Sequence, residues 1–271
     1  MKLGLALSGG AARGLAHVGV IEVLEREGIQ IDAVAGTSMG AIIGAAYARG
    51  LTVSQIKEHA LDLSWTKLVR MFEFSPFKTS GFTGTRRVRE KLKSVIGDLD
   101  FSALQRPFAC VATDIISGEE VVFKRGSVLD AVLASMALPL VFKVPHLGRR
   151  YLVDGGISDP LPVIPLKALG ADKVIAVNVL KDLGISVPQS NRGSGLPKHP
   201  PNFFQVANQV IYIASAHLAE AGIKQADVAI EPDMTGIHLV DFRLAPEAIL
   251  RGINAAEAAL PSIRALSLSK T

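Results

Sequence analysis

A chain of 271 residues, 49% of them hydrophobic, can bury a large core, and a single domain over 1–271 is the expectation. Its one cysteine, Cys110, excludes an intramolecular disulfide and a cysteine-rich metal site, and suits a reducing, cytoplasmic compartment in which it packs as a small hydrophobe. No window offers the ~20 uninterrupted apolar residues of a spanning helix, so a soluble or peripheral protein is expected.

The first element is a strand, "LGLALSG" (3–9), rather than a signal peptide, because Gly9, Gly10 and Arg13 break the apolar run. A Gly-rich turn leads into "LAHVGVIEVLERE" (15–27), apolar at helical spacing and stopped by Gly28. "IDAVAGT" (31–37) reads as a second buried strand and "MGAIIGAAYARG" (39–50) as its helix. This β-α-β-α order implies a parallel sheet covered by helices. Residues 51–99 read as helical and loop-like. They include a basic, aromatic stretch, 65–93, with eight Lys/Arg against Glu73 and Glu90 and with Trp65, Phe72, Phe74, Phe77 and Phe82 interleaved. Such a mixture suits an anionic lipid interface or a lid over a site, and equally a pair of solvated cationic helices whose aromatics face the core. "PFACVATDI" and "EEVVFKRG" alternate as strands, "SVLDAVLASMA" (127–137) is a helix stopped by Pro139, "RRYLVDGG" (149–156) a strand ending in a turn, and "DKVIAVNVL" (172–180) a central strand. Residues 181–201, rich in Gly, Pro and Ser, are expected to be a mobile loop. A helix (203–222), a strand "DVAIEPD" (227–233) and a last helix from about Pro246 to Leu260 complete the chain.

Within "AVAGTSMGAII" (33–43), Ser38 lies between Gly36 and Gly40 at the junction of a strand and a helix. A serine nucleophile on so sharp a turn needs small residues two before and two after it, and the helix starting near Met39 aims free N–H groups and a positive dipole end toward it. The pentapeptide alone is weak, with a chance frequency of about 0.16 at this composition. The flanking strand and Gly/Ala helix are what make it specific. An acyl-transfer site also needs oxyanion donors, and "SGGAARG" (8–14) supplies a turn whose amides, those of Gly9 and Gly10 first, can converge; a tight turn that binds nothing is the plain alternative. Arg13 fits phosphate or carboxylate recognition, or equally a helix-end charge in solvent. Asp154 ends a strand, where catalytic groups of α/β sheets gather, and Gly155 and Gly156 permit close approach by another backbone; Asp-Gly is also a common turn. None of the six histidines (17, 59, 146, 199, 217, 238) stands in a recognisable catalytic context.

"GGAARG" (9–14), "GTSMG" (36–40), "ASMALP" (134–139) and "DGG" (154–156), in that order, resemble the four signature blocks of the patatin-like phospholipase family, over nearly the whole chain. The likeness is to small bacterial members related to the neuropathy target esterase catalytic domain, which also carry "ATD" (112–114) and "EPD" (231–233). It implies a three-layer α/β/α fold with a mainly parallel sheet and a Ser38–Asp154 dyad in place of a triad. It also implies a phosphate or oxyanion site built from Gly9, Gly10, Ala11, Arg13, Gly14 and Met39, with Gly36, Gly40, Gly155 and Gly156 as motif glycines and Pro139 in a structural third block. Ala11 departs from the family's usual Gly-Gly-Gly. Neither metal nor organic cofactor is implied. The expected partners are a lipid or other carboxyl-ester substrate and the inner face of an anionic membrane; nucleic acid is not among them. Two rivals stand beside this reading: an α/β-hydrolase with a Ser-Asp-His triad, for which His199, His217 and His238 follow Asp154, and a catalytically silent adaptor of the same fold.

Overall fold

The computed structural model describes residues 1–62, 81–139, 141–181 and 203–268. Most of the 65–93 lid candidate (65–80) and of the 181–201 loop (182–201) therefore lies outside the described residues.

Four parallel pairings make up most of the sheet, and β1 (Leu3–Leu7), β2 (Ala33–Thr37) and β3 (Phe108–Asp114), buried along their whole length, are apolar on both faces as parallel strands covered by helices must be. β1 lies between β2 and β7 (Lys173–Val177), β2 pairs with β3, and β7 with β8 (Val228–Ile230). Beyond β3 the sheet turns antiparallel, with β4 (Glu120–Phe123), β6 (Arg150–Asp154) and a two-residue β5 (His146–Leu147). Alternation along β1 sends Leu3, Leu5 and Leu7 into one core and Ala6 into the other.

On the leucine side pack α1 (Ala16–Arg26), α2 (Met39–Ala48), α3 (Val53–Leu61), α4 (Gly81–Ile96), α5 (Val128–Ser135) and the C-terminal α8 (Ala245–Leu268). The alanine side is covered by α6 (Val163–Lys167) and α7 (Phe203–Gln225), so the helices form two layers on a mainly parallel sheet, as expected. A capping box at Thr52 and Gln55 starts α3, and the Ser127 side chain caps α5 by accepting the Asp130 amide. Several boundaries differ from the sequence reading: the strands expected over 172–180 and 227–233 shorten to β7 and β8, and the helix expected over 203–222 runs on to Gln225. A 3-10 turn, Ala11–Leu15, precedes α1, and α8 continues through Pro261, where burial of Ala256 and Ile263 on either side holds the helix across the missing N–H. Cys110 is fully buried, and burial pushes its thiol pKa up.

The strand registers explain how distant segments meet. β4 occupies one edge of β3 from Cys110 to Thr113, which leaves β2 (to Val111) and β6 (from Ala112) on the opposite edge. Thr37 pairs with Val111 and Asp154 with Ala112, so the two strands run toward each other along β3 and their last residues abut.

Candidate active site

At that junction the chain leaves β2 through Ser38, whose backbone is held at φ 54° and ψ −117°. A non-glycine residue there carries on the order of 1–3 kcal/mol of strain, sustained only because the surroundings dictate it. The turn is tight enough that a Cβ on Gly36 would sit 2.2 Å from the Gly40 carbonyl oxygen, and one on Gly40 would sit 2.3 Å from that of Leu7. Glycine at both positions is thus a matter of space. The Ser38 amide donates to Ser135 Oγ at 2.9 Å, and its hydroxyl donates to Asp154 Oδ2 at 2.6 Å.

Asp154 is pinned at every polar atom. Its amide donates to the Ala137 carbonyl (2.9 Å), its carbonyl accepts from Thr113 Oγ1 (3.1 Å), and Oδ1 accepts the Gly156 amide (2.8 Å). A Cβ on Gly155 would lie 2.2 Å from the Val111 carbonyl oxygen, so the glycine lets this turn close onto β3. Burial pushes the Asp154 carboxyl up to about 6, against the opposing pull of the Ser38 hydroxyl and the Gly156 amide. The group is therefore mostly ionised near pH 7 yet far more basic than a free aspartate.

Around the Gly-rich turn the site residues divide. Gly9 and Gly10 both border the cleft, but the Gly9 amide donates to the Pro160 carbonyl at 3.0 Å and is spent on holding that wall. Among the described residues no acceptor takes the amides of Gly10, Ala11 or Met39. Ala11 adopts φ 45°, a left-handed conformation that a glycine would accept without cost and alanine accepts at about 1–2 kcal/mol. Arg13 corrects the expectation of an anion ligand: it is 2% exposed, and its guanidinium donates to the carbonyls of Ile237 (2.8 Å) and Lys181 (3.2 Å), tying later segments to the turn. Gly14 likewise serves packing, since a Cβ there would lie 2.6 Å from the Met39 side chain.

The pair opens on a narrow cleft walled by Leu138, Pro160 and Leu180 and, from α7, by Ile211, Tyr212 and Ser215. Burial and the Asp154 charge push the Tyr212 phenol pKa up, so it stays protonated. Ser215 Oγ donates to the Gly156 carbonyl at 2.6 Å, joining α7 to the Asp154 turn. The sequence reading missed these α7 residues; the one signal was that the first 17 positions of the helix, up to Ala219, lack Asp, Glu, Lys and Arg. It also passed over Ser135, although that residue stands inside "ASMALP" (134–139). No histidine lines the cleft among the described residues. His17 is buried beneath the turn, with burial lowering its pKa to about 4 and Nε2 donating to the Ser8 carbonyl; His217 faces Glu220 on the outside of α7, and His199 lies outside the described residues.

Comparison with known proteins places the chain in a family. The family described as patatin-like phospholipase matches residues 5–167. An uncharacterized NTE family protein of Mycobacterium tuberculosis is 35% identical over 178 residues, covering 66% of this chain and 49% of that protein. Lysophospholipase NTE1 of Debaryomyces hansenii is 29% identical over 89% of this chain and 17% of its own length. The chain thus spans about half or less of the curated relatives it matches. Among solved structures, VipD from Legionella pneumophila superposes with a TM-score of 0.52 at 14% identity, covering 96% of this chain and 66% of that one, a likeness of fold.

Proposed function

This chain belongs to the patatin-like phospholipase family, and on that premise we propose that it is a serine lipid acyl hydrolase working through a Ser38–Asp154 dyad. The observation that carries the proposal is the 2.6 Å hydrogen bond from Ser38 Oγ to the buried, basic carboxylate of Asp154. Ser38 Oγ attacks the ester carbonyl carbon as its proton passes to Asp154 Oδ2. The oxyanion that forms is met by the open amides of Gly10, Ala11 and Met39 and by the N-terminal end of α2. Collapse of this intermediate breaks the carbon–oxygen bond to the leaving alkoxide, which takes the proton from Asp154. Water, deprotonated by the same carboxylate, then attacks the acyl-serine and releases the fatty acid and the free hydroxyl.

Lysophospholipids are the favoured substrates, on the strength of the family and of the relative named lysophospholipase NTE1. A direct serine-to-carboxylate bond favours the dyad over a Ser-Asp-His triad, in which an imidazole would stand between the two. Peripheral contact with an anionic membrane belongs to the same proposal. No helix among the described residues is long and apolar enough to cross a bilayer. Support comes from Phe203, Val206 and Val210, exposed on the helix whose other face walls the cleft. The cations of α4 support it less, since Arg86, Arg89, Lys91 and Lys93 each engage a carboxylate. Flotation with neutral and with anionic liposomes tests that part, and indifference to lipid charge refutes it.

The decisive experiment is labelling with a fluorophosphonate probe. Reaction of the wild-type protein, lost in Ser38→Ala, is the expected result. A folded wild-type chain that fails to react sinks the hydrolase reading in favour of the silent adaptor.

A further inference from the structure

The segment after α5 touches both members of the pair. Ser135, fully buried at the last position of α5, accepts the Ser38 amide on its Oγ at 2.9 Å, and two residues on, the Ala137 carbonyl accepts the Asp154 amide at 2.9 Å. One short piece of chain thus grips the backbones of two residues that lie 116 positions apart and come from strands that merely abut. We infer that the 135–137 segment is a bracket that sets the Ser38–Asp154 separation, and that Ser135 is a positioning residue for the hydrolysis proposed above.

The physical reason lies in the strained turn. Ser38 stands between the end of β2 and the start of α2, and among the described residues its amide has no backbone acceptor in either. Ser135 Oγ is the acceptor that remains, and in a dry interior its removal strands a polar N–H. The elbow has an inexpensive way to relieve that loss, which is to relax toward ordinary backbone angles and carry Ser38 Oγ off the Asp154 carboxylate. Burial alone does not explain a serine here, because alanine would fill nearly the same space without needing a partner. Asp154, by contrast, keeps its Ala137, Thr113 and Gly156 bonds when Ser135 is altered, so the damage falls on the serine side.

The inference rests on the Ser38–Asp154 hydrolase reading, and the test separates the two. Fluorophosphonate titration first counts reactive Ser38 in the wild-type protein; no reaction there is a failure of the hydrolase reading itself. Turnover of a lysophospholipid and of a short-chain ester is then measured per labelled site in Ser135→Ala, Ser135→Cys and Ser135→Thr, together with thermal unfolding. For Ser135→Ala, kcat per site is expected to drop by roughly 10- to 100-fold, the range set by one stranded buried donor, with KM unchanged within twofold because the cleft walls are untouched. Ser135→Thr, which keeps the oxygen, restores at least a third of the wild-type kcat, and Ser135→Cys, with its weak sulfur acceptor, falls between. A purely structural serine would lower the melting temperature and the number of labelled sites while leaving kcat per site alone, and that result overturns the inference. Should the alanine variant fail to fold, the near-isosteric cysteine variant decides: wild-type kcat per site in Ser135→Cys overturns the bracket, and a selective kcat loss sustains it.

Discussion

Replacing Asp154 by asparagine should kill the reaction and stabilise the protein at once, and both effects follow from the same buried charge. An asparagine fits the site with its bond pattern partly reversed. Its carbonyl oxygen still accepts the Gly156 amide, but the amide nitrogen donates to Ser38 Oγ, so the hydroxyl proton has no base to receive it. Loss of a general base costs about 10²–10⁴-fold in rate. The stability term comes from the pKa: burial places the folded carboxyl at about 6, against about 3.9 in an unfolded chain. A raised folded pKa means that the folded state holds the proton more tightly. Its contribution is fully present below about pH 4 and is lost as pH rises through 6. At 1.36 kcal/mol per pH unit the loss approaches about 3 kcal/mol. Asp154→Asn escapes it, so its urea midpoint should exceed the wild type's at pH 8 and the gap should close toward pH 4. Fluorophosphonate and ester assays at pH 8, with urea unfolding at pH 4, 6 and 8, read both effects. A folded variant with full turnover refutes the dyad. A variant destabilised equally at all three pH values refutes the desolvation argument.

The acid limb of kcat in the wild-type protein should follow Asp154 ionisation. The rate is expected to fall about tenfold between pH 8 and pH 5, for a group titrating at about 6, and a rate flat across that interval removes Asp154 as base. Arg13→Ala should cost about 2–4 kcal/mol of stability, because it empties a buried volume and strips the Ile237 and Lys181 carbonyls of a donor. The folded fraction of that variant should still react with fluorophosphonate at close to the wild-type rate; a well-folded Arg13→Ala protein that reacts a hundredfold more slowly would return the guanidinium to the oxyanion site.

Where the physics is local, the sequence sufficed. Gly36, Ser38 and Gly40 lie within five residues, and the steric demand of the turn is met by those residues and the helix they start, so the elbow was legible as it stood. The same holds for the β-α-β-α order, because apolar periodicity is a property of short segments. Direction was harder to read than proximity. Arg13 and Gly9 stand in the right motif, yet the guanidinium turns away to bind two distant carbonyls and the Gly9 amide turns to Pro160, choices made by partners some 150 to more than 220 positions further along. The cleft wall from α7 was hidden for the same reason, since its uncharged run marks the helix as packed without saying against what.

What the linear order of residues determined by itself is the chemistry on offer: an alcohol on a tight turn, a carboxylate at a strand end and amides at a helix start. Tertiary structure alone decided that these meet. It did so by giving β2 and β6 opposite directions along one edge of β3, so that Thr37 and Asp154 end against neighbouring residues, Val111 and Ala112. It also set the basicity of Asp154, because burial within the fold strips that carboxylate of water.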